Sequence, residues 1–537
     1  MKRLPLILIA CLWTAGMVTI SAQDNLPSEQ VQVIKNFEAR LADANKLPIT
    51  PSLPPADTTT LHYNYRLQPK SLSLSYEAPT IRPLGIKTEK QDPGYDGLIQ
   101  AGYGYPNSPY AYAGYRANPN KQLNLGASFR HLSMNDSKRY ADRRFMDNDL
   151  HLESTYFTES ELALKGNADF SMDDIYQYGY DHAVYDTLSG LKRRFNAFDL
   201  GFKLYNGENN KANINYFAGL DVYRFADNYA NRELGVLLDL GAKKYIAKKH
   251  PIALEIKTDL STLNDTTKQT LNNFNLLPSF TFHSNTFRIK AGGNVAVYDD
   301  QYFIFPDVSL ALAISGNQII LFGGWTGDLQ KNNFKSLATY NPFINRRITI
   351  RNSEYNDYFG GLKGNVSFIQ YEVKGGYKQT KDMALFQANN ALPVSFDVLY
   401  DDVNLVYALG NIVLHPAKNI EVGLMLTKNF YDPSTQAKAW FLPDFEGNAR
   451  IQYKAMEDRL QVALETYYMD KFPTLNASGE EGYSNTLLDV NVQADFFITK
   501  RFGVFAHLNN LANIQHRRWL DYPGIGLNAI GGLQVRF

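Results

Sequence analysis

Residues 527–537 read LNAIGGLQVRF and end the chain. Leu527, Ala529, Gly531, Leu533, Val535 and Phe537 fall on alternate positions, with Asn528, Gly532, Gln534 and Arg536 between them. A strand turns successive side chains to opposite faces, so this segment carries one apolar and one largely polar face. The same texture runs back through the chain. Leu488, Val490, Val492, Ala494 and Phe496 alternate with Asp489, Asn491, Gln493 and Asp495. Ile420, Val422, Leu424 and Leu426 repeat the pattern, as do Phe287, Ile289 and Ala291, then Phe198, Leu200 and Phe202, then Leu123, Leu125 and Ala127. A soluble sandwich alternates in the same way, so no single segment decides the class. Length and persistence decide it. The segments run about ten residues where soluble strands average five or six, and ten tilted residues cross a bilayer. The pattern continues from about Gly97 to the C-terminus with no helical segment read between strands. In lipid every backbone polar group needs a partner, so such strands close into a barrel, apolar outside and polar within.

Twenty-two candidate strands begin near 97, 108, 122, 148, 160, 195, 212, 232, 250, 270 and 286, then near 302, 317, 355, 369, 402, 418, 445, 458, 486, 501 and 526. Connections from even to odd strands, such as 158–159, 243–249 and 367–368, are short. Most from odd to even, such as 171–194, 327–354 and 379–401, are long, with tight exceptions near 106 and 299. Short periplasmic turns and long external loops are the rule for outer-membrane barrels. The fold expected is therefore all-β: a transmembrane antiparallel outer-membrane β-barrel with an even strand number between 16 and 22, counted here as 22. Both termini would be periplasmic.

Composition agrees. Lys+Arg and Asp+Glu are equal at 54 each, so the basic excess of a nucleic-acid binder is missing. Residues 1–22 read as an export signal, with Lys2 and Arg3 before an apolar run from Leu4 to Ile20 and Ser21-Ala22 ahead of a cut before Gln23. Cys11, the sole cysteine, lies inside that signal, so neither a disulfide scaffold nor a cysteine-based zinc site is available. Residues 23–95 are an extended periplasmic or lumenal segment punctuated by Pro51, Pro54, Pro55, Pro69, Pro79, Pro83 and Pro93, and residues 96–537 are the barrel. A bore of 22 strands is wide enough to need a plug, and Leu61–Tyr95 is the segment expected to thread it.

The closing segment resembles the C-terminal signal of bacterial outer-membrane proteins, which implies recognition of Leu527, Ala529, Leu533, Val535 and Phe537 by the barrel-assembly machinery. Upstream, FGVFAHLNNLAN at 502–513, Trp519 and Tyr522-Pro523-Gly524 resemble the end of TonB-dependent receptors, especially those of the Bacteroidota. That resemblance covers roughly the last 60 residues and is architectural elsewhere. It implies a receptor-type barrel in the cell outer membrane, embedded in outer-membrane lipid, serving solute uptake and transport. The chain departs from the family in having only about 70 residues before the first strand, too few for the usual plug domain. Val31-Gln32-Val33-Ile34 is a candidate TonB box that would add as a strand to TonB or another periplasmic protein. The same residues also fit the start of an amphipathic helix through Phe37 and Leu41. A second functional reading is a structural or assembly subunit of an outer-membrane complex, contacted through residues 24–95.

No enzyme chemistry is read, and no cofactor. The nine histidines are scattered without metal-ligand spacing. His283-Ser284 is expected in a turn, and His507 beside Asn509 on the pore wall. Asp299-Asp300 and Asp401-Asp402 are expected at strand ends as solvated charge or a calcium site. Tyr103, Tyr105, Tyr110, Tyr112 and Tyr115 fit an interfacial girdle. Tyr176, Tyr178 and Tyr180 are expected in an external loop, packed on it or offered to a glycan or porphyrin.

Overall fold

The computed structural model describes residues 95–181, 191–207, 213–389 and 394–537. The export signal, the Val31–Ile34 candidate and all of the proposed plug segment but Tyr95 lie outside these residues. Twenty-two strands, from Gly97–Tyr105 to Asn528–Arg536, form one antiparallel sheet in which each pairs with the next along the chain. The sheet closes on itself: Leu98 lies opposite Arg536 and Tyr105 opposite Ala529, in unbroken register between. Closure satisfies both edges, which is what lets a sheet live in lipid. Every expected strand is present, including the weak ones near 317, 355 and 445. No helix of the described residues is long and apolar enough to cross a membrane.

The wall is two-faced. Leu533 is 69% exposed while its neighbour Gln534 is 2% exposed. In the closing strand the outward face carries Ala529, Gly531, Leu533 and Val535, and the inward face Asn528, Ile530 and Gln534. Phe537 follows it, exposed to the outside and stacked on Tyr115 at 6.1 Å. Its ring covers Gly97, where an added Cβ would come within 2.4 Å of it. The terminal residue thereby helps fix the seam.

Connections at the end bearing both termini are short, for example 158–161, 247–249, 284–286 and 367–368. This end is periplasmic by the usual barrel rule. Three expectations need correction. A helix does interrupt the strands: Phe334–Tyr340, seven residues in the connection 333–350. The long connection expected at 379–401 shrinks to 389–395, because the strands Ile369–Ala388 and Phe396–Ala417 extend to 20 and 22 residues, roughly twice the length that crosses a bilayer. Tyr110 and Tyr112 are not girdle residues. Pairing sets Tyr110 opposite Gly102 and Tyr112 opposite Gln100, an inward position, so both face the lumen, whereas Tyr103, Tyr105 and Tyr115 are exposed on the outside.

Candidate functional site

The inward positions build a polar bore whose charges are compensated across neighbouring strands. Lys290 meets Asp307 at 2.5 Å and Arg450 meets Glu465 at 3.2 Å. Arg130 pairs with Asp149, and His151 with Asp169, each across one strand interface. Tyr407 donates to Asp357 at 2.9 Å, with Lys374 3.5 Å from the same carboxylate. Of the other charges expected on the wall, Lys203 lies 5.0 Å from the Phe217 ring, Glu421 is 3.4 Å from His415, and Asp495 accepts from Gln100 at 3.4 Å. His507 and Asn509 are buried on the same inward face, and Asn509 donates to Asn528 at 2.8 Å. Near the periplasmic end a cavity of about 350 Å³ opens among Gln100, Tyr112, His151, Glu153, Asp495 and Gln534. Such a wall offers hydrogen bonds to a polar solute without a strong field of either sign.

At the outer mouth the chain's own loops pack together into a cap. One continuous buried cluster takes Phe195 and Phe225 from the wall, Phe334, Leu337, Phe343 and Ile344 from the connection 333–350, and Phe396, Trp440, Phe441, Phe472, Trp519 and Tyr522 from other sectors of the rim. Phe343 stacks on Tyr522 with ring centres 3.6 Å apart. Trp519 packs against Phe396, Phe386 and Phe441 at 5.1 to 5.4 Å. Aromatic pairs of this kind add about 0.5–1.5 kcal/mol each beyond area burial. The helix docks by its N-terminus. Asn333 caps it, accepting from Ser336 N at 2.9 Å, and donates to the Tyr223 hydroxyl at 2.7 Å. Glu233 on the wall accepts from Phe334 N at 2.6 Å, and Lys335 pairs with Asp199.

Three buried arginines tie the loops together. Arg193 binds one oxygen of Asp227 through Nε and Nη2 at 3.1 and 2.8 Å, and donates from Nη1 to the Ile344 carbonyl at 2.5 Å. Arg143 pairs with Asp136 and donates to the Gly524 carbonyl at 3.0 Å. Arg518 donates to the Phe441 carbonyl at 2.7 Å and lies against the rings of Tyr340, Phe472 and Trp519. Gln269 makes a two-point contact, donating to Ile348 O at 2.8 Å and accepting from Ile350 N at 3.1 Å. Asn273 and Asn352 exchange amide hydrogen bonds at 3.1 and 2.7 Å.

The Asn-rich stretch at 509–513 has a structural task here. Asn510, at φ +51°, accepts from Ile514 N at 3.1 Å and donates to Ile514 O and Ile525 O at 2.9 and 3.0 Å. Asn513 accepts from Leu527 N at 2.9 Å, and its side chain passes so close to Gly526 that a Cβ there would sit 2.3 Å away. The stretch turns the chain inward and sets Trp519 and Tyr522 in the cap. Burial raises the Tyr178 and Tyr522 hydroxyls well above the ordinary tyrosine range and raises that of Tyr340. Burial, then the nearby Arg518 charge, pushes the His516 imidazole down to about 3.

The remaining sequence candidates fall out as structure. Tyr176 ends the strand Leu162–Tyr176 rather than lying in the loop; Tyr178 and Tyr180 are buried, and Tyr178 packs into the cap and donates to Pro523 O at 3.1 Å. Asp299-Asp300 form a two-residue hairpin turn with φ +50° and +58°, a conformation Asp tolerates. Asp401 lies inside a strand rather than at its end and accepts from Thr435 N and Gln436 N, at 3.1 and 2.8 Å. Ser284 is in a turn while His283 is the buried last residue of its strand. Among the described residues no group of His, Cys, Asp and Glu could hold a metal ion.

No protein-family model and no curated relative matches the chain. Solved structures do. An iron transporter, FrpB from Neisseria meningitidis, aligns over 83% of this chain and 82% of its own, with TM-score 0.66 and 10% identity. A mutant ferric enterobactin receptor, PfeA from Pseudomonas aeruginosa, aligns over 83% and 81%, with TM-score 0.61 and 10% identity. The copper transporter OprC aligns over 83% and 83%, with TM-score 0.58 and 11% identity. The fold is the barrel architecture that these receptor and transporter structures share. At such identity the likeness speaks for architecture, and with the apolar exterior it places the barrel in the cell outer membrane.

Proposed function

We propose that this barrel carries a solute across the outer membrane, and that the loop cap is its outer gate. The observation that supports this best is the pairing of a polar, charge-compensated bore with a cap held by side-chain clasps rather than by strand ladders. A lid of this kind can open without breaking the barrel. The barrels it resembles include receptors and transporters for iron chelates and copper, so metal chelates are the first solute class to test. In this reading Val31–Ile34 engages TonB, and residues 24–94 transmit the pull. The test is growth of a deletion strain on limiting metal chelates, complemented by the intact chain or by one lacking Val31–Ile34. The reading expects rescue by the intact chain alone. Rescue by both would remove energised uptake, and rescue by neither on any scarce nutrient would remove transport.

A further inference from the structure

Cations on the exterior near the outer rim fall into two sets. Most are paired: Arg194 with Asp174 at 2.6 Å, Arg351 with Asp382 at 2.6 Å, Lys381 with Glu354 at 3.1 Å and Lys428 with Asp444 at 3.9 Å. Arg224, Arg232 and Lys268 are exposed, and among the described residues none of them meets a carboxylate within ion-pair distance. These three stand together. Arg224 lies opposite Phe198 on one neighbouring strand and Leu234 on the other, and those side chains are 44% and 52% exposed to the outside. The guanidinium therefore sits at the upper edge of the apolar band. Arg232 is on the same face, diagonal to Arg224, and continues through Asn264 to Lys268 in one register row across three strands.

Strand spacing puts Arg232 and Lys268 about 10 Å apart, and the diagonal step puts Arg224 about 7 Å from Arg232. The external connections beside them, 228–231 and 265–267, are short and leave the row at the wall surface. Glu233, next to Arg232 in sequence, is buried on the inward face and accepts from Phe334 N, and the acid nearest Lys268, Asp265, is engaged in its own turn, accepting from Thr267 N at 2.6 Å and Thr267 Oγ1 at 3.0 Å. A cation facing lipid is costly unless its stem lies along the hydrocarbon and its head reaches an anion in the headgroup layer. Two guanidiniums and an ammonium at this spacing, with the Asn264 amide between, match phosphate oxygens.

We propose that Arg224, Arg232, Asn264 and Lys268 form a binding site for the phosphorylated headgroup of an outer-leaflet glycolipid. The test is native mass spectrometry of the full chain in detergent, titrated with bis-phosphorylated lipid A or its dephosphorylated form. Arg224→Gln/Arg232→Gln/Lys268→Gln is compared with a control that neutralises paired cations, Arg351→Gln/Lys381→Gln. The wild type and the control should retain the phosphorylated lipid. The triple variant should bind it on the order of a hundredfold more weakly, three surface cations having been removed. If the triple variant fails to fold, Arg224→Gln alone should weaken binding by about fivefold. Equal binding by wild type and variant, or no preference for the phosphorylated lipid, would overturn the site. Displacement of the lipid by excess inorganic phosphate would overturn the glycolipid assignment in favour of a free-anion site.

Discussion

Arg193→Met removes the clasp between the barrel wall and the 333–350 connection. Arg193 and Asp227 are both fully buried, so the substitution strands a carboxylate and frees the Ile344 carbonyl. Removing one partner of a buried pair costs about 3–5 kcal/mol. Asp227 keeps donors from Tyr229 N at 2.9 Å and Asn231 N at 3.0 Å, which places the loss at the lower end. A loss of about 3 kcal/mol shifts the closed-to-open ratio of the cap by roughly two orders of magnitude. The strand ladders are untouched, so the barrel stays folded and heat-modifiable on gels. Hydrogen exchange followed by mass spectrometry should show peptides covering 341–350 exchanging about a hundredfold faster, while peptides from the wall keep wild-type protection. Unchanged protection at 341–350 in a folded variant would refute the reasoning, because the clasp would then contribute nothing to closure.

Acid should loosen the same cap through His516. Its imidazole is held at about 3 when the cap is closed and returns to an ordinary value near 6.5 when exposed. The closed state binds fewer protons between these values, so this contribution is complete above pH 6.5 and is lost as pH falls, about 2 kcal/mol by pH 5. Exchange in 510–527 should rise accordingly, and His516→Asn should flatten that dependence; equal pH profiles would count against it. Phe537→Asp should lower the amount of heat-modifiable barrel in the outer membrane, although direct lipid transfer at the strand end accounts for only about 0–2 kcal/mol. Normal levels would mean the terminal ring is not part of the assembly signal. An epitope tag at Ser478, in the tip of the hairpin Pro473–Leu475/Glu481–Tyr483, should be reachable by antibody on intact cells, and a tag at Lys248 should not. The reverse result would invert the orientation.

The barrel was legible in the sequence because it rests on a period of two repeated many times. Leu488 to Phe496 and Leu527 to Phe537 show it without interruption, and the alternation of short and long connections gives strand parity independently. The cap was not legible. Phe343, Trp440, Phe441, Trp519 and Tyr522 lie in irregular loops, and their contacts join sectors of the rim more than a hundred residues apart in several cases, so no period marks them. The helix Phe334–Tyr340 spans barely two turns, too little for a helical repeat to register. Tyr110 and Tyr112 were misplaced because aromatic content alone does not say which face a residue takes: odd-numbered residues point outward in both of the first two strands, and these two tyrosines carry even numbers. The exterior cation row was likewise hidden, since Arg224, Arg232 and Lys268 become neighbours only through the register of four strands.

The claim on which the account turns is that the cap, made of this chain's own loops, seals the lumen. Single-channel conductance in planar bilayers tests it with three full-length or near full-length proteins: the intact chain, one lacking residues 24–94, and one whose residues 334–349 are replaced by a short Gly-Ser linker. Low conductance is expected for the first two and a large, steady conductance for the third. A large conductance on removing residues 24–94 alone, with no further change on replacing 334–349, would contradict the claim and would assign closure of the pore to the N-terminal segment.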